Sequence, residues 1–221
     1  MKIENNILRY YLQNAYFITG TAYAGKSTMV KMLSEKHDMI FCGENYHGTV
    51  AEAVRNPKLQ PGLCYFETMS GWQEFLNRTP EEYFKWICET SREAAEIEVA
   101  ELIRLSATGK KIIVDTNIPL ELLHEISDYH HVAVMLSPQS MSVERFFDRS
   151  DPEKQFLLGQ IEKAENPEKT MQNFRACMAR CNSLEEYNKF AAGGFYTIVR
   201  EDTQADTRAD VLQKLEKHFR L

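Results

Sequence analysis

Short apolar runs alternate with longer segments of helical periodicity along most of the chain. The runs have no polar face, which is typical of strands that are buried on both sides of a parallel sheet. They predict strands at residues 15–19, 39–42, 111–115, 132–136 and 195–199. Because helical segments separate these runs, the chain is predicted to form an α/β fold whose parallel sheet is covered by helices on both faces.

The longest of the predicted helices runs from Pro80 to Gly109, which is a suitable C-cap. Thr79 is a favourable N-cap, Pro80 suits the first helical position, and Glu82 completes a capping box. Apolar side chains then recur at helical spacing: Phe84, Ile87, Cys88, Ala95, Val99, Leu102 and Ile103. A long helix is therefore predicted between the second and third strands.

Further helices complete the predicted pattern, at residues 28–36, 119–129, 140–148, 152–165 and 167–191. A closing helix is predicted after Thr207, because Thr207 and Asp210 have the spacing of a capping box. Residues 44–61 are polar and contain several turn signals. No internal repeat or linker interrupts the chain, so residues 1–221 are predicted to form a single domain.

Composition narrows the class of protein. The net charge of −6 argues against general nucleic-acid binding, since affinity for the phosphate backbone requires a basic surface. No apolar run approaches the roughly 20 residues that a membrane span requires, and residues 1–11 lack the core of a signal peptide. The five cysteines show no paired disulfide framework. These features predict a cytoplasmic protein with reduced thiols and no membrane segment.

The stretch between the first strand and its helix carries a specific motif. Residues 20–27 match G-x-x-x-x-G-K-[ST], the phosphate-binding P-loop. In such a loop, backbone N–H groups and the helix N-terminus hold a polyphosphate. Lys26 would reach the β- and γ-phosphates, and the Ser27 hydroxyl would bind Mg²⁺. The predicted phosphate site consists of Gly20, Thr21, Ala22, Tyr23, Ala24, Gly25, Lys26, Ser27 and Thr28.

This P-loop, about five strands and a helical segment between strands four and five together resemble the small P-loop kinases. That family includes the nucleoside monophosphate kinases, shikimate kinase and gluconate kinase. The resemblance implies a three-layer fold with strand order 2-3-1-4-5, ATP and Mg²⁺ as cofactors, and a small-molecule acceptor. It also implies a helical acceptor-binding insertion at residues 44–109 and a mobile helical lid at residues 138–192.

The resemblance extends to individual positions. Asp115 ends the third strand, where these kinases hold an acid beside Mg²⁺, and Glu44 lies where several members carry a base for the acceptor hydroxyl. Arg200 and Asp202 follow the last strand, where the family packs a loop against adenine. However, the Asp-Gly-Phe-Pro-Arg segment of adenylate kinases is missing after the third strand. The donor site is therefore better supported than the acceptor.

Arg145 and Arg149 fall where the resemblance places lid arginines. They are four residues apart and so share one helix face, from which two guanidiniums could neutralise charge on the transferring phosphoryl group. They could instead pair with neighbouring acids on the surface. In the same way, Asp115 could cap the next helix and Glu44 could be a solvent-facing loop residue.

The polar segment after the second strand provides candidates for the acceptor pocket. They are Glu44, Asn45, Tyr46, His47 and Arg55. The Arg55 guanidinium would suit an anionic group on the acceptor. Trp72 and Trp86 could either pack the helical insertion or stack on a planar acceptor.

Two classes of function follow from these residues. The first is ATP- and Mg²⁺-dependent phosphoryl transfer to a metabolite hydroxyl or a nucleotide. The second is a nucleotide-binding switch or NTPase that regulates a protein partner, although the guanine-recognition tetrapeptide Asn-Lys-x-Asp of GTPases does not occur. A kinase-like protein that only binds nucleotide is a third possibility, which the intact Lys26–Ser27 pair disfavours. The sequence names neither the acceptor nor the oligomeric state.

Overall fold

The fold was analysed in a computed structural model that describes residues 3–144, 152–200 and 205–221. The strands are β1 (Ala15–Gly20), β2 (Ile40–Cys42), β3 (Ile112–Asp115), β4 (Val132–Leu136) and β5 (Tyr196–Val199). They form a parallel sheet in the order β2-β3-β1-β4-β5. The predicted P-loop α/β fold and its strand order are therefore confirmed.

Helices connect the strands. The first part of the chain contributes α1 (Asn5–Tyr11), α2 (Lys26–His37), α3 (Gly48–Val54), α4 (Tyr65–Thr68), α5 (Trp72–Leu76) and α6 (Pro80–Ser106). The second part contributes α7 (Leu120–Ile126), α8 (Gln139–Glu144), α9 (Pro152–Glu162), α10 (Pro167–Cys181), α11 (Leu184–Ala191) and α12 (Arg208–Phe219). In the part of the chain that the structure describes, no helix is long and apolar enough to cross a lipid bilayer.

The start of α6 confirms the sequence prediction in detail. Thr79 accepts a hydrogen bond from the Glu82 backbone N–H, and the Glu82 carboxylate accepts one from the Thr79 N–H, at 2.8 Å. Two exposed N–H groups are thereby satisfied by residues three positions apart. The 27-residue helix is the longest of the described helices; its Leu102 packs in a core beside the sheet, and its Tyr83 packs in a separate core of helices.

Other boundaries differ from the prediction. The prediction of a capping box at Thr207 was wrong. The backbone of Thr207 is not extended (φ −95°, ψ 4°), and its side chain makes no capping hydrogen bond. The Asp206 carboxylate instead accepts a hydrogen bond from the Arg208 N–H at 3.1 Å. The predicted helix 167–191 is divided, because Ser183 is extended and caps α11 by accepting from the Glu186 N–H. Helices α1, α3, α4 and α5 were not predicted.

The sheet separates two apolar cores, as alternation along parallel strands requires. On one face, Phe17, Val114 and Val134 pack with α1, α6 and α7. On the other, Ile18 and Met135 pack against α2 and α12. Because both faces are covered, the central strands are buried along their length and the functional groups of this fold emerge at the carboxyl edge.

A third core lies outside the sheet. It consists of the buried residues Phe75, Leu76, Tyr83, Ile161, Phe174, Cys177 and Met178. These residues come from both the predicted acceptor insertion and the predicted lid region, so the two segments are packed against each other here. We call the cluster formed by α4, α5, the first half of α6, α9 and α10 the helical body.

Candidate functional site

The P-loop leaves β1 at a position that requires glycine. Gly20 has φ of 127°, and a Cβ atom there would lie 2.0 Å from the Met135 carbonyl oxygen on β4. Gly25 is also left-handed, with φ of 92°, and is the N-cap of α2. Tyr23, between them, has φ of 64°, which is uncommon for a residue with a side chain. The motif therefore forms a tight loop that delivers the chain to the helix N-terminus.

The side chains of Lys26 and Ser27 stand in the first turn of α2. Lys26 Nζ donates to the Thr21 carbonyl oxygen at 3.2 Å, across the mouth of the loop. Ser27 Oγ donates to Asp115 Oδ2 at 2.6 Å. A helix N-terminus carries exposed N–H groups and partial positive charge, which favours an anion such as a phosphate. The predicted phosphate-binding residues and Asp115 thus lie together.

The Ser27–Asp115 pair has the chemistry of a magnesium site. It offers a hydroxyl and a carboxylate, and Asp115 is 5% exposed at the end of β3. Within the described residues, no group of three or more His, Cys, Asp or Glu side chains could hold a metal. That is compatible with Mg²⁺, which usually takes one or two protein ligands and completes its shell with phosphate oxygens and water.

Ser137, which was not predicted from the sequence, makes hydrogen bonds to the P-loop. Its backbone N–H donates to Thr21 Oγ1 at 2.8 Å, and its hydroxyl donates to the Ala22 carbonyl oxygen at 2.5 Å. Ser137 directly follows β4 and is buried. The sequence feature that could have identified Ser137 is its position directly after β4, the strand that pairs with β1. Its hydroxyl fixes the loop, so the amides are preorganised.

Arg200, which was predicted to lie in a loop against adenine, contacts the P-loop. Its Nη1 donates to the Tyr23 carbonyl oxygen at 2.7 Å, and its backbone N–H donates to the Leu136 carbonyl oxygen. A cavity of about 200 Å³ opens beside it, between α2, β5 and the start of α12. Its lining includes Thr28, Met29, Ile198, Arg208 and Val211. Asp202 lies outside the described residues.

The predicted acceptor residues are more dispersed. Glu44 is exposed and makes no hydrogen bond or ion pair with another described residue. Arg55 forms an ion pair with Glu67 in the same insertion. Tyr46 and His47 instead turn toward α6, where the Tyr46 hydroxyl donates to the Glu98 carbonyl oxygen at 3.2 Å. Glu44 and Asn45 are thus the exposed members of this set, whereas His47 is buried.

Glu98, on α6, was not predicted and is the centre of a buried polar cluster. It is 4% exposed, and its Oε2 accepts a hydrogen bond from Thr116 Oγ1 at 2.8 Å. Its Oε1 is 3.9 Å from Nδ1 of His47, a nitrogen that has no hydrogen-bond partner among the described residues. Burial raises the pKa of Glu98 to about 7, and the negative charge of Asp115 acts in the same direction. Burial also lowers the pKa of His47.

Two other predictions have different outcomes. Arg145 and Arg149 lie outside the described residues, so their role stays a prediction. Trp72 and Trp86 pack with neighbouring rings of the helical body, Trp72 on Phe66 at 5.3 Å and Trp86 on Phe75 at 5.2 Å between ring centroids. Their described contacts match the packing interpretation.

Known proteins provide an independent comparison. Guanylate kinases from two strains of Clostridium perfringens are each 25% identical to the chain over 201 residues, covering 90% of this chain and 79% of the relative. The guanylate kinase of a third strain is 24% identical over 201 residues. No family model matches the chain. The fold, the P-loop and these relatives together support the broad group of P-loop kinases.

Proposed function

We propose that the protein catalyses ATP- and Mg²⁺-dependent phosphoryl transfer to a small acceptor, and that this acceptor is a nucleotide. The observation that carries the proposal is the 2.6 Å contact between Ser27 and Asp115 beside Lys26 at the N-terminus of α2. The Lys26 ammonium, the Ser27 hydroxyl and the Asp115 carboxylate lie together at this helix N-terminus, which supports the proposal that a polyphosphate binds there with Mg²⁺. The guanylate kinase relatives favour a nucleotide, which accepts on its phosphate, over a metabolite that accepts on a hydroxyl, with GMP as the first to test.

The residues of the chain have distinct tasks in this proposal. The loop amides and Lys26 bind the phosphates of ATP, and Ser27 and Asp115 hold Mg²⁺ directly or through water. Bound Mg²⁺ would neutralise charge on the transferring group. The cavity next to Arg200 has the position for the nucleoside part of ATP. Glu44, exposed after β2, would be needed as a base only for a hydroxyl acceptor, because the phosphate oxygens of a nucleoside monophosphate are already ionised.

The acceptor side rests on fewer contacts. Tyr46, His47 and Arg55 lie in the segment after β2, and Arg145 and Arg149 are proposed to close over the phosphates from the lid region. A guanidinium there could hydrogen-bond two oxygens of the transferring group as charge spreads over them. We therefore expect the arginines to affect turnover more than ATP affinity.

An acceptor screen tests the proposal. ADP release would be measured with ATP, Mg²⁺ and a panel of nucleoside monophosphates, shikimate and gluconate, with a reaction lacking acceptor as the control. Release that depends on one nucleotide supports the kinase. Release that needs no acceptor, or that appears only with a protein partner, would instead identify an NTPase or a regulatory switch.

A further inference from the structure

Glu98 is a carboxyl group buried in the interior of the protein, where its burial requires an explanation. It is 4% exposed, less than any other acid in the described part of the chain, and it lies on the face of α6 that meets the sheet. Burying a carboxyl group is unfavourable unless polar partners compensate for the lost water. Its partners therefore indicate its role.

The hydroxyl of Thr116 links Glu98 to the turn after β3. Thr116 Oγ1 donates to Glu98 Oε2 at 2.8 Å and accepts from the Ile118 N–H at 3.0 Å. The Thr116 backbone N–H donates to the Ile18 carbonyl oxygen on β1 at 3.1 Å. The turn is thus held from two sides, by the central strand and by α6.

The residue before Thr116 is Asp115, whose carboxylate meets Ser27. A carboxylate at a strand end points in the direction that the backbone of the following turn permits. Without the hydrogen bond from Thr116 to Glu98, the turn would no longer be attached to α6, while its hydrogen bond to β1 would remain. The Glu98–Thr116 hydrogen bond is therefore placed to set the direction of Asp115.

We infer that Glu98 is a positioning residue, which acts through Thr116 to hold the Asp115 carboxylate toward Ser27 for a divalent cation. The inference rests on the proposed function, because it assumes that Mg²⁺ is bound at this pair with ATP. It adds a buried residue of α6 that acts through its contact with Thr116. Partners that orient metal ligands are commonly needed for full affinity.

Three variants separate this role from simple packing. Glu98→Leu removes the acceptor oxygen, Glu98→Gln keeps it, and Thr116→Val removes the donor while leaving Glu98 in place. Glu101→Leu is the matched control, since Glu101 lies three residues further along α6, is 9% exposed and bonds Arg104 instead. Each variant would be checked for folding by thermal unfolding, and Thr116→Val serves if Glu98→Leu does not fold.

The readout is ATP affinity by calorimetry, with Mg²⁺ and with a chelator. In Glu98→Leu and Thr116→Val, the factor by which Mg²⁺ raises ATP affinity should be roughly tenfold smaller than in the wild type. The ATP affinity measured in chelator should be unchanged. Glu98→Gln and Glu101→Leu should match the wild type. The positioning role of Glu98 would be overturned if Mg²⁺ raised ATP affinity in folded Glu98→Leu or Thr116→Val as much as in the wild type. It would also be overturned if Glu101→Leu showed the same reduction as these variants.

The failure of the proposed function has a different signature. Wild-type protein that binds no ATP under either condition would remove the kinase proposal and the positioning role together. Wild-type protein that gains affinity with Mg²⁺, beside variants that gain equally, removes the positioning role alone. Both results are read from binding, so the identity of the acceptor is not required.

Discussion

Around the P-loop the described contacts are short hydrogen bonds between polar atoms, whereas the helical body is held by aromatic rings and long side chains. Ser27, Asp115 and Ser137 each act through one or two atoms at 2.5–2.8 Å. In the helical body, Phe75 alone lies within 5.1–6.2 Å of five other rings, those of Tyr65, Phe66, Trp72, Tyr83 and Trp86. Precise placement of few atoms serves chemistry, while many small contacts serve stability.

The difference also concerns the electrostatics of the two regions. Arg180 of the helical body lies 3.8 Å from the centre of the Phe84 ring and pairs with Glu81 at 2.8 Å near the surface. Such exposed pairs contribute little to stability. Beside the P-loop, the acids Glu98 and Asp115 are buried, so their charges interact more strongly. Substitutions should therefore affect stability in one region and ligand binding in the other.

The largest effect is expected from Phe174→Ala in the helical body. Phe174 is 1% exposed and packs edge-to-face on Tyr83 at 5.8 Å. Its loss should lower the free energy of unfolding by about 3–5 kcal/mol, because a cavity replaces the ring. Urea denaturation gives the change, and ATP affinity below the unfolding transition should be unaltered. A parallel loss of ATP affinity would show that the two regions are coupled.

Lys26→Ala should have the converse effect. It removes the positive charge at the loop while leaving the apolar cores intact, so turnover should fall by about a hundredfold to a thousandfold with little change in melting temperature. Steady-state kinetics with the identified acceptor and calorimetry with ATP measure it. Lys31→Ala, on the exposed side of the same helix and paired with Glu35, is the control. Equal turnover in both variants would refute the P-loop assignment.

Glu98→Gln should make stability less dependent on pH. Burial raises the folded-state pKa from 4.5 to about 7, so between these values the folded state binds more protons than the unfolded state, and stability falls as the pH rises. The glutamine variant lacks this fall and should gain up to about 3 kcal/mol over wild type at pH 8, and much less at pH 5. The titratable groups close to Glu98 are Asp115 from β3, Cys42 from β2, and Tyr46 and His47 before α3.

Urea denaturation at both pH values measures this difference. Glu101→Gln is the comparison, because an Arg104 guanidinium lowers the pKa of that carboxyl. The same gain at pH 5 and pH 8 would mean that folding does not raise the pKa of Glu98, so that its carboxyl is charged across this range in both the folded and the unfolded state. In that case burial would not perturb the ionisation of Glu98, and the two regions would not differ in this electrostatic property.

The smallest effect is expected from Thr79→Ala at the start of α6. The variant removes the hydroxyl that accepts from the Glu82 N–H, and N-cap losses of this kind cost about 1 kcal/mol. Thermal unfolding should show a modest drop, with ATP affinity equal to wild type. Thr108→Ala, after the end of the same helix, removes an exposed hydroxyl that bonds the Leu105 carbonyl oxygen and the Lys110 N–H but no N–H of the first turn, and it should change stability less.

The sequence by itself determined the features that depend on neighbouring residues. The five strands were visible as apolar runs, the Thr79–Glu82 capping box located the start of α6, and glycine spacing identified the P-loop. Each of these signals acts within a few residues, because backbone conformation and local hydrogen bonds are set there. The strand order came from the resemblance to P-loop kinases, since pairing joins strands that are distant in the chain.

Tertiary structure decided the rest. Glu98 reads as one more acid on an amphipathic helix, and only the packing of α6 on the sheet brings it to Thr116, eighteen residues later. Arg55 was expected to face an anionic acceptor, but folding places it beside Glu67. Helices α4 and α5 lack strong local signals and form against the rings of the helical body. Their stability comes from contacts that only the folded chain creates, because short isolated helices are marginal in water.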